Sequence, residues 1–210
     1  MQLSPAAFNG WLRNIGQDLA WRQAFACPCI NPASGASKPN CPLCNGKGRQ
    51  WNDEVVGRAG FQSLAPKKGF AAFGTWEPGD ATLTIGSDCP FYIAGQYDRF
   101  RSLNSTAPFS THLVRGEADV LLGTVETISR VFWLNTAGDT VIEGGIPTVN
   151  EDGTMTWTTG EPPDGQTYSI SGVKYEEWFC YMDMPGDRAM HAGAALPKKL
   201  AVRKFDIFAR

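Results

Sequence analysis

Thr124 to Gly160 reads TVETISRVFWLNTAGDTVIEGGIPTVNEDGTMTWTTG. Short runs of β-branched and aromatic residues are broken by Ala137-Gly138-Asp139 and Asp152-Gly153, and runs of this kind fit a pleated, half-buried surface better than a helix face. Glycine next to aspartate or asparagine supplies the positive φ and local hydrogen bonding of a tight turn. The texture extends both ways from here. Upstream lie GFAAFGTWEPGDATLTIG (69–86), with a turn at Pro78-Gly79-Asp80, and ADVLLGTVETISRVFWLN (118–135). Downstream, Pro162-Pro163-Asp164-Gly165 makes a further turn, and LAVRKFDIFAR (200–210) reads as a last strand with no purely apolar face, suited to an edge or an interface. About eight short strands at this spacing predict a mainly β fold, a compact antiparallel β-barrel or sandwich. Twenty-three glycines and fourteen prolines in 210 residues agree with many turns.

The N-terminus has another period. Ser4 is an N-cap candidate and Pro5 suits the first helical position. Phe8, Trp11, Leu12, Ile15 and Leu19 then recur at helical spacing, which gives one apolar face. Gly10 and Gly16 weaken an isolated helix by about 1 kcal/mol each, so the segment depends on packing. The sequence therefore divides into an amphipathic helix over 1–26, a cysteine module over 27–50 and a β domain over 51–210. On that division, removing residues 1–25 leaves the β domain folded. RFRSLNSTAPFSTHLVR (99–115) has little periodicity and reads as a long loop.

Four of the six cysteines stand in CPCINPASGASKPNCPLCNGKG (27–48). Cys27 and Cys29 form one ligand pair and Cys41 and Cys44 a second, with a connection long enough to fold back, so four thiolates can converge on one tetrahedral ion. Gly46 lets the chain turn tightly after Cys44 and aim backbone N–H groups at sulfur. Four thiolates leave no open coordination position, so the expected metal is structural Zn2+ rather than catalytic. Cys89 and Cys180 stand alone in strand-like sequence and are expected to be buried small hydrophobes. The unit CPLCNGKG resembles the C-x-x-C-x-G-x-G knuckle of DnaJ-type chaperones at Cys41, Cys44, Gly46 and Gly48. That family repeats the unit four times, so the resemblance implies knuckle geometry and not chaperone function.

No catalytic residues are assigned. The two histidines, His112 and His191, lie in no recognisable nucleophile or ligand pattern, and no phosphate loop or hydrolase motif is present. Adjacent acids such as Glu151-Asp152 and Glu176-Glu177 are expected to point to opposite faces of a strand or into solvent rather than to work as an acid–base pair. Neither a signal peptide nor a run of eighteen apolar residues occurs, which points to synthesis in a reducing cytoplasm and to no membrane partner. The net charge of −2 is unevenly spread: 1–68 carries eight Lys/Arg against three Asp/Glu, and 131–197 carries two against ten. Such polarity suits ordered contact with charged surfaces. Lys47, Arg49, Trp51 and Arg58 interleave base and ring as a nucleic-acid surface would, so a free nucleic-acid-binding zinc protein is the rival reading.

Taken together, Asp98-Arg99-Phe100, the strand pair around Asp152-Gly153 with Trp157, the turn Pro163 to Gly165 leading to Tyr168, and Leu196-Pro197 followed by basic residues resemble virion structural proteins of tailed bacteriophages, in particular those of the neck or head–tail connector. The resemblance implies a non-enzymatic ring of identical copies within the virion. Its partners would be a portal or adaptor protein on one side and tail terminator or other tail proteins on the other. Genomic DNA would pass through the lumen without sequence-specific contact, and a tail or baseplate component is a lesser variant.

Overall fold

The computed structural model describes residues 4–44, 46–63, 80–117, 119–184, 190–191 and 193–205. Among the described residues, one helix, α1 (Pro5–Ile15), precedes fourteen strands: β1 (Gln17–Arg22), β2 (Ala24–Ala26), β3 (Arg49–Trp51), β4 (Val55–Ser63), β5 (Ala81–Ile85), β6 (Arg99–Val114), β7 (Val125–Leu134), β8 (Val141–Glu143), β9 (Thr148–Val149), β10 (Met155–Thr156), β11 (Thr167–Met184), β12 (Met190–His191), β13 (Ala194–Ala195) and β14 (Lys198–Lys204). They form two compact units, one from 1–103 with 177–207 and one centred on 104–176; β6 and β11 run from the first into the second.

The first unit is a closed antiparallel barrel. Its six strands follow the order β14-β5-β4-β1-β6-β11, and pairing of β11 with β14 completes the circle. Alternate residues point inward: Leu19 and Trp21 from β1, Ala59 from β4, Leu83 and Ile85 from β5, Phe100 from β6, Trp178 and Cys180 from β11, and Leu200 and Val202 from β14. Closure removes the unpaired backbone edges that an open sheet must protect. Phe91, from the segment between β5 and β6, fills the interior against Trp21 and Phe100, with ring centroids 6.2 and 5.8 Å away.

Asp98 is only 3% exposed. Its Oδ2 accepts from Trp21 Nε1 at 2.8 Å and from Gly95 N at 2.9 Å, while Oδ1 accepts from Ala24 N at 2.7 Å. One carboxylate thus ties β1, the start of β2 and the turn before β6. On β14, Arg203 grips the buried Asp80 carboxylate through Nε at 2.6 Å and Nη2 at 2.8 Å.

Helix α1 begins as its sequence predicts, with Ser4 Oγ accepting from Ala7 N and proline in the first turn. Its burial differs from the expected amphipathic face. Leu12 and Asn9 are buried, whereas Phe8, Trp11 and Ile15 are 39%, 52% and 55% exposed. The reason is the mount. Leu12 Cδ2 lies where Gly60 leaves room beside β4, and the Asn9 amide bonds Ser87 through both its Nδ2 and its Oδ1. Leu19 is not a helix residue; it sits in β1, inside the barrel.

The second unit carries β7 and β8 beside β11, the hairpin β9–β10, and a core of Leu121, Val131, Trp133, Tyr168 and Ile170. The turns fall where the sequence puts them. Gly138, Gly153 and Gly165 all have φ near +80°, at 75°, 83° and 75°. Tyr168 packs edge-on to Trp157 and donates its hydroxyl to Asp119, which also pairs with Arg115.

Three sequence expectations need correction. Residues 99–115 are no loop: Arg99–Val114 is one sixteen-residue strand, hidden because only Phe100 and Ser102 along it are buried. The last strand, β14, lies between β5 and β11 in the barrel wall rather than at an edge; its continuation, 206–210, falls outside the described residues, as does all of 69–79 with the turn at Pro78-Gly79. The divisions 1–26, 27–50 and 51–210 are also displaced. β1 precedes the cysteines and pairs with both β4 and β6, so removing 1–25 takes a wall out of the barrel.

Candidate metal centre

Cys27 to Gly48 hangs from a two-stranded ribbon. β2 and β3 pair Ala24 with Trp51, Phe25 with Gln50 and Ala26 with Arg49, and the bond from Cys27 N to Gly48 O at 2.9 Å closes the neck of the loop. Inside it, turns replace regular structure. Asn31 N bonds Ala36 O at 2.9 Å and Gly35 N bonds Asn31 O at 2.8 Å, which folds the connection back; Cys41 N to Lys38 O and Lys47 N to Cys44 O shape the second ligand pair. Gly46 and Gly48 have φ of 80° and 70°. A Cβ on Gly46 would also stand 2.9 Å from Pro39 O, so the turn needs glycine there twice over.

These turns bring all four expected ligands together. The sulfurs of Cys27, Cys29, Cys41 and Cys44 lie within 4.8 Å of one another. Two contacts cross between the pairs, Cys27 to Cys41 at 3.8 Å and Cys29 to Cys44 at 3.5 Å. Thiolates at about 2.3 Å from a tetrahedral ion are about 3.8 Å apart, so the set fits one metal. A disulfide requires about 2.05 Å, and all six cysteines are free thiols. Cys27, Cys41 and Cys44 are buried, and the only hydrophobic cluster of this loop among the described residues consists of cysteines. Sulfur is the core of the module.

Electrostatics point the same way. The N–H groups of Cys44 and Leu43 aim at the Cys41 sulfur and draw its pKa down to about 6. Gly48 N donates to Cys44 Sγ at 3.2 Å. For Cys29, the Lys38 N–H favours the thiolate, but burial and the three neighbouring thiols outweigh it and push the group up to about 12. Cys27 is raised as well, its Cys29 N–H being outweighed by burial and by Cys44 and Cys41. Four thiols crowded without a counter-charge resist joint ionisation; a divalent cation would supply the missing charge.

Among the described residues this is the sole cluster of three or more Cys, His or carboxylate side chains with metal-binding spacing. His112 is exposed on β6, and the side chain of His191 lies outside the described residues. Cys180 is fully buried in the barrel core and Cys89 packs against it half-buried, as expected of small hydrophobes. Glu177 pairs with Arg99 and Glu176 accepts from Ser105, so these successive residues of β11 have separate partners. Three of the four interleaved residues are engaged within the chain: Arg49 stacks 3.3 Å over Tyr97, Trp51 Nε1 donates to Tyr97 O, and Arg58 donates to Arg13 O and pairs with Asp18, while Lys47 is exposed.

The sequence reading missed a cluster on the outer wall of the barrel, where Arg22, Arg99 and Arg101 meet Glu54 and Glu177. Its signal was present in Arg99-Phe100-Arg101, whose alternation puts two guanidiniums on one face once 99–114 is a strand. No helix among the described residues is long and apolar enough to cross a membrane. No protein-family model and no curated protein matches the sequence.

Proposed function

We propose that the chain is a non-enzymatic, ring-forming component of the head–tail connector of a tailed bacteriophage virion, joining portal to tail around the DNA channel, with Cys27, Cys29, Cys41 and Cys44 holding a structural Zn2+. The observation that carries this reading is the mount of α1. Phe8, Trp11 and Ile15 face outward from a helix pinned to the barrel by Leu12 and Asn9. Large apolar side chains held rigidly in solvent are expensive in a free monomer and ordinary in an assembly. Leu43, 61% exposed between Cys41 and Cys44, extends the argument to that module. The metal would fix the shape of an arm that has no aliphatic core, and the resemblance noted above supplies the virion context. The nucleic-acid alternative is the weaker one, because Arg49, Trp51 and Arg58, which it would use, already have partners within the chain.

The test is electron cryo-microscopy of the purified chain, with DNA affinity measured across salt. A closed ring with an axial channel wide enough for duplex DNA, and little salt-sensitive affinity, is the expected result. A monomer at every concentration, or a steep salt slope, would overturn the reading.

A further inference from the structure

On the outer wall of the barrel, Ala20 and Arg22 of β1, Glu54, Arg99 and Arg101 of β6, and Glu177 of β11 line a cavity of about 10 Å3, room for one oxygen-sized atom. Three guanidiniums face two carboxylates there. Glu54 is shared, accepting from Arg22 Nε and Arg101 Nε, both at 3.1 Å. Burial would raise its carboxyl, and Arg101 and then Arg22 more than reverse that, so it stays ionised below the usual range. Glu177 accepts from Nη2 of Arg99. The Nε–H of Arg99 on the same edge is buried and has no acceptor. Phe205 lies over that guanidinium at 3.7 Å and Trp51 flanks it at 5.1 Å. Burial also works against the charge of Arg99, and Arg22 adds like-charge repulsion, which Glu177 offsets only in part. Arg115 Nε and Trp157 Nε1 are likewise buried without acceptors, but the charged groups around Arg115 are acidic, Asp119 and Glu161.

A planar fork with one spare N–H, one unbalanced positive charge and room for one oxygen is the complement of a carboxylate. The chain carries a surplus of these. Residues 104–176 hold ten Asp/Glu against three Lys/Arg, and the rest of the sequence holds sixteen Lys/Arg against eleven Asp/Glu. Glu117, Glu126, Glu151 and Asp164 in that stretch are exposed and have no ion pair among the described residues.

We propose that Arg22, Arg99 and Arg101 form a socket for a carboxylate side chain from the 104–176 stretch of a second copy of this chain. The inference rests on the ring reading and deepens it, since a socket on one unit and its ligand on the other give a heterologous contact that closes by rotation. Sedimentation velocity of the full chain over a concentration series, with Arg22→Gln and Arg99→Lys, tests it alongside the cryo-microscopy map. Arg22 is the more exposed of the two and should leave the melting temperature unchanged; each substitution is expected to weaken self-association about tenfold or more. In the map a neighbour's carboxylate oxygen should lie within hydrogen-bond distance of Arg99 Nε. A ring in which both variants assemble like the parent, or in which Arg99 Nε meets only water, overturns the socket and leaves the ring reading standing. A chain that never associates overturns both.

Discussion

Replacing Asp98 by alanine tests whether the barrel and the cysteine arm are joined through one buried carboxylate. The substitution strands three donors, Trp21 Nε1, Gly95 N and Ala24 N, which now lie 2.7 to 2.9 Å from its oxygens. A hydrogen bond to a charged group is worth about 1.5–3 kcal/mol net, and a buried donor left without an acceptor costs about 1–3 kcal/mol. Water entering the space left by the carboxylate recovers part of this, so a loss of about 4 kcal/mol is expected. With a urea slope of about 2 kcal/mol per molar, the midpoint falls by about 2 M. Asparagine separates charge from geometry. Its one oxygen can serve the Trp21 and Gly95 donors together, but its NH2 then faces the Ala24 N–H, so about half the loss, or about 2 kcal/mol, should remain. The assay is equilibrium urea unfolding followed by circular dichroism. A loss below about 1 kcal/mol for Asp98→Ala would refute the reasoning, as would asparagine proving worse than alanine.

Other outcomes follow from the two remaining centres. The chain should carry one metal ion, and Cys44→Ser should lose it by mass spectrometry while the thermal transition of the barrel is retained; chelation should open the 27–48 loop to tryptic cleavage after Lys47, and protein that binds no metal when reduced would sink the assignment. At Tyr168, burial, then the hydrogen bond and charge of Asp119, raise the phenol well above its ordinary pKa of 10. The folded state keeps that proton and the unfolded state releases it near 10, so this contribution is present below pH 10 and falls by about 1.4 kcal/mol per unit above it. Tyr168→Phe should cost about 1 kcal/mol at neutral pH and flatten the alkaline limb of a stability–pH curve, whereas an unchanged limb would show that the phenol is not its source.

The cysteine site was legible because its information is local. Ligand type, pair spacing and the positive-φ positions at Gly46 and Gly48 all lie within 22 residues, and the fold needed only to close the ribbon beneath them. The β class and the turns at Gly138, Gly153 and Gly165 were legible for the same reason, since β-branched runs and glycine turns are properties of neighbouring residues. What only the tertiary structure decided is which strand lies beside which. β1 joins the barrel from across the cysteine loop, β14 closes it against β11, and β6 stays a strand across a stretch with almost no buried alternation. The Arg22, Arg99, Arg101, Glu54 and Glu177 cluster draws on three strands and the Asp53-Glu54 connection, so no window of sequence contains it. The outward face of α1 followed from the same cause. Its period makes Phe8, Trp11, Leu12 and Ile15 an apolar stripe, but the clearance at Gly60 and the Asn9–Ser87 bonds, set by distant parts of the chain, determine that Leu12 alone of these four turns inward.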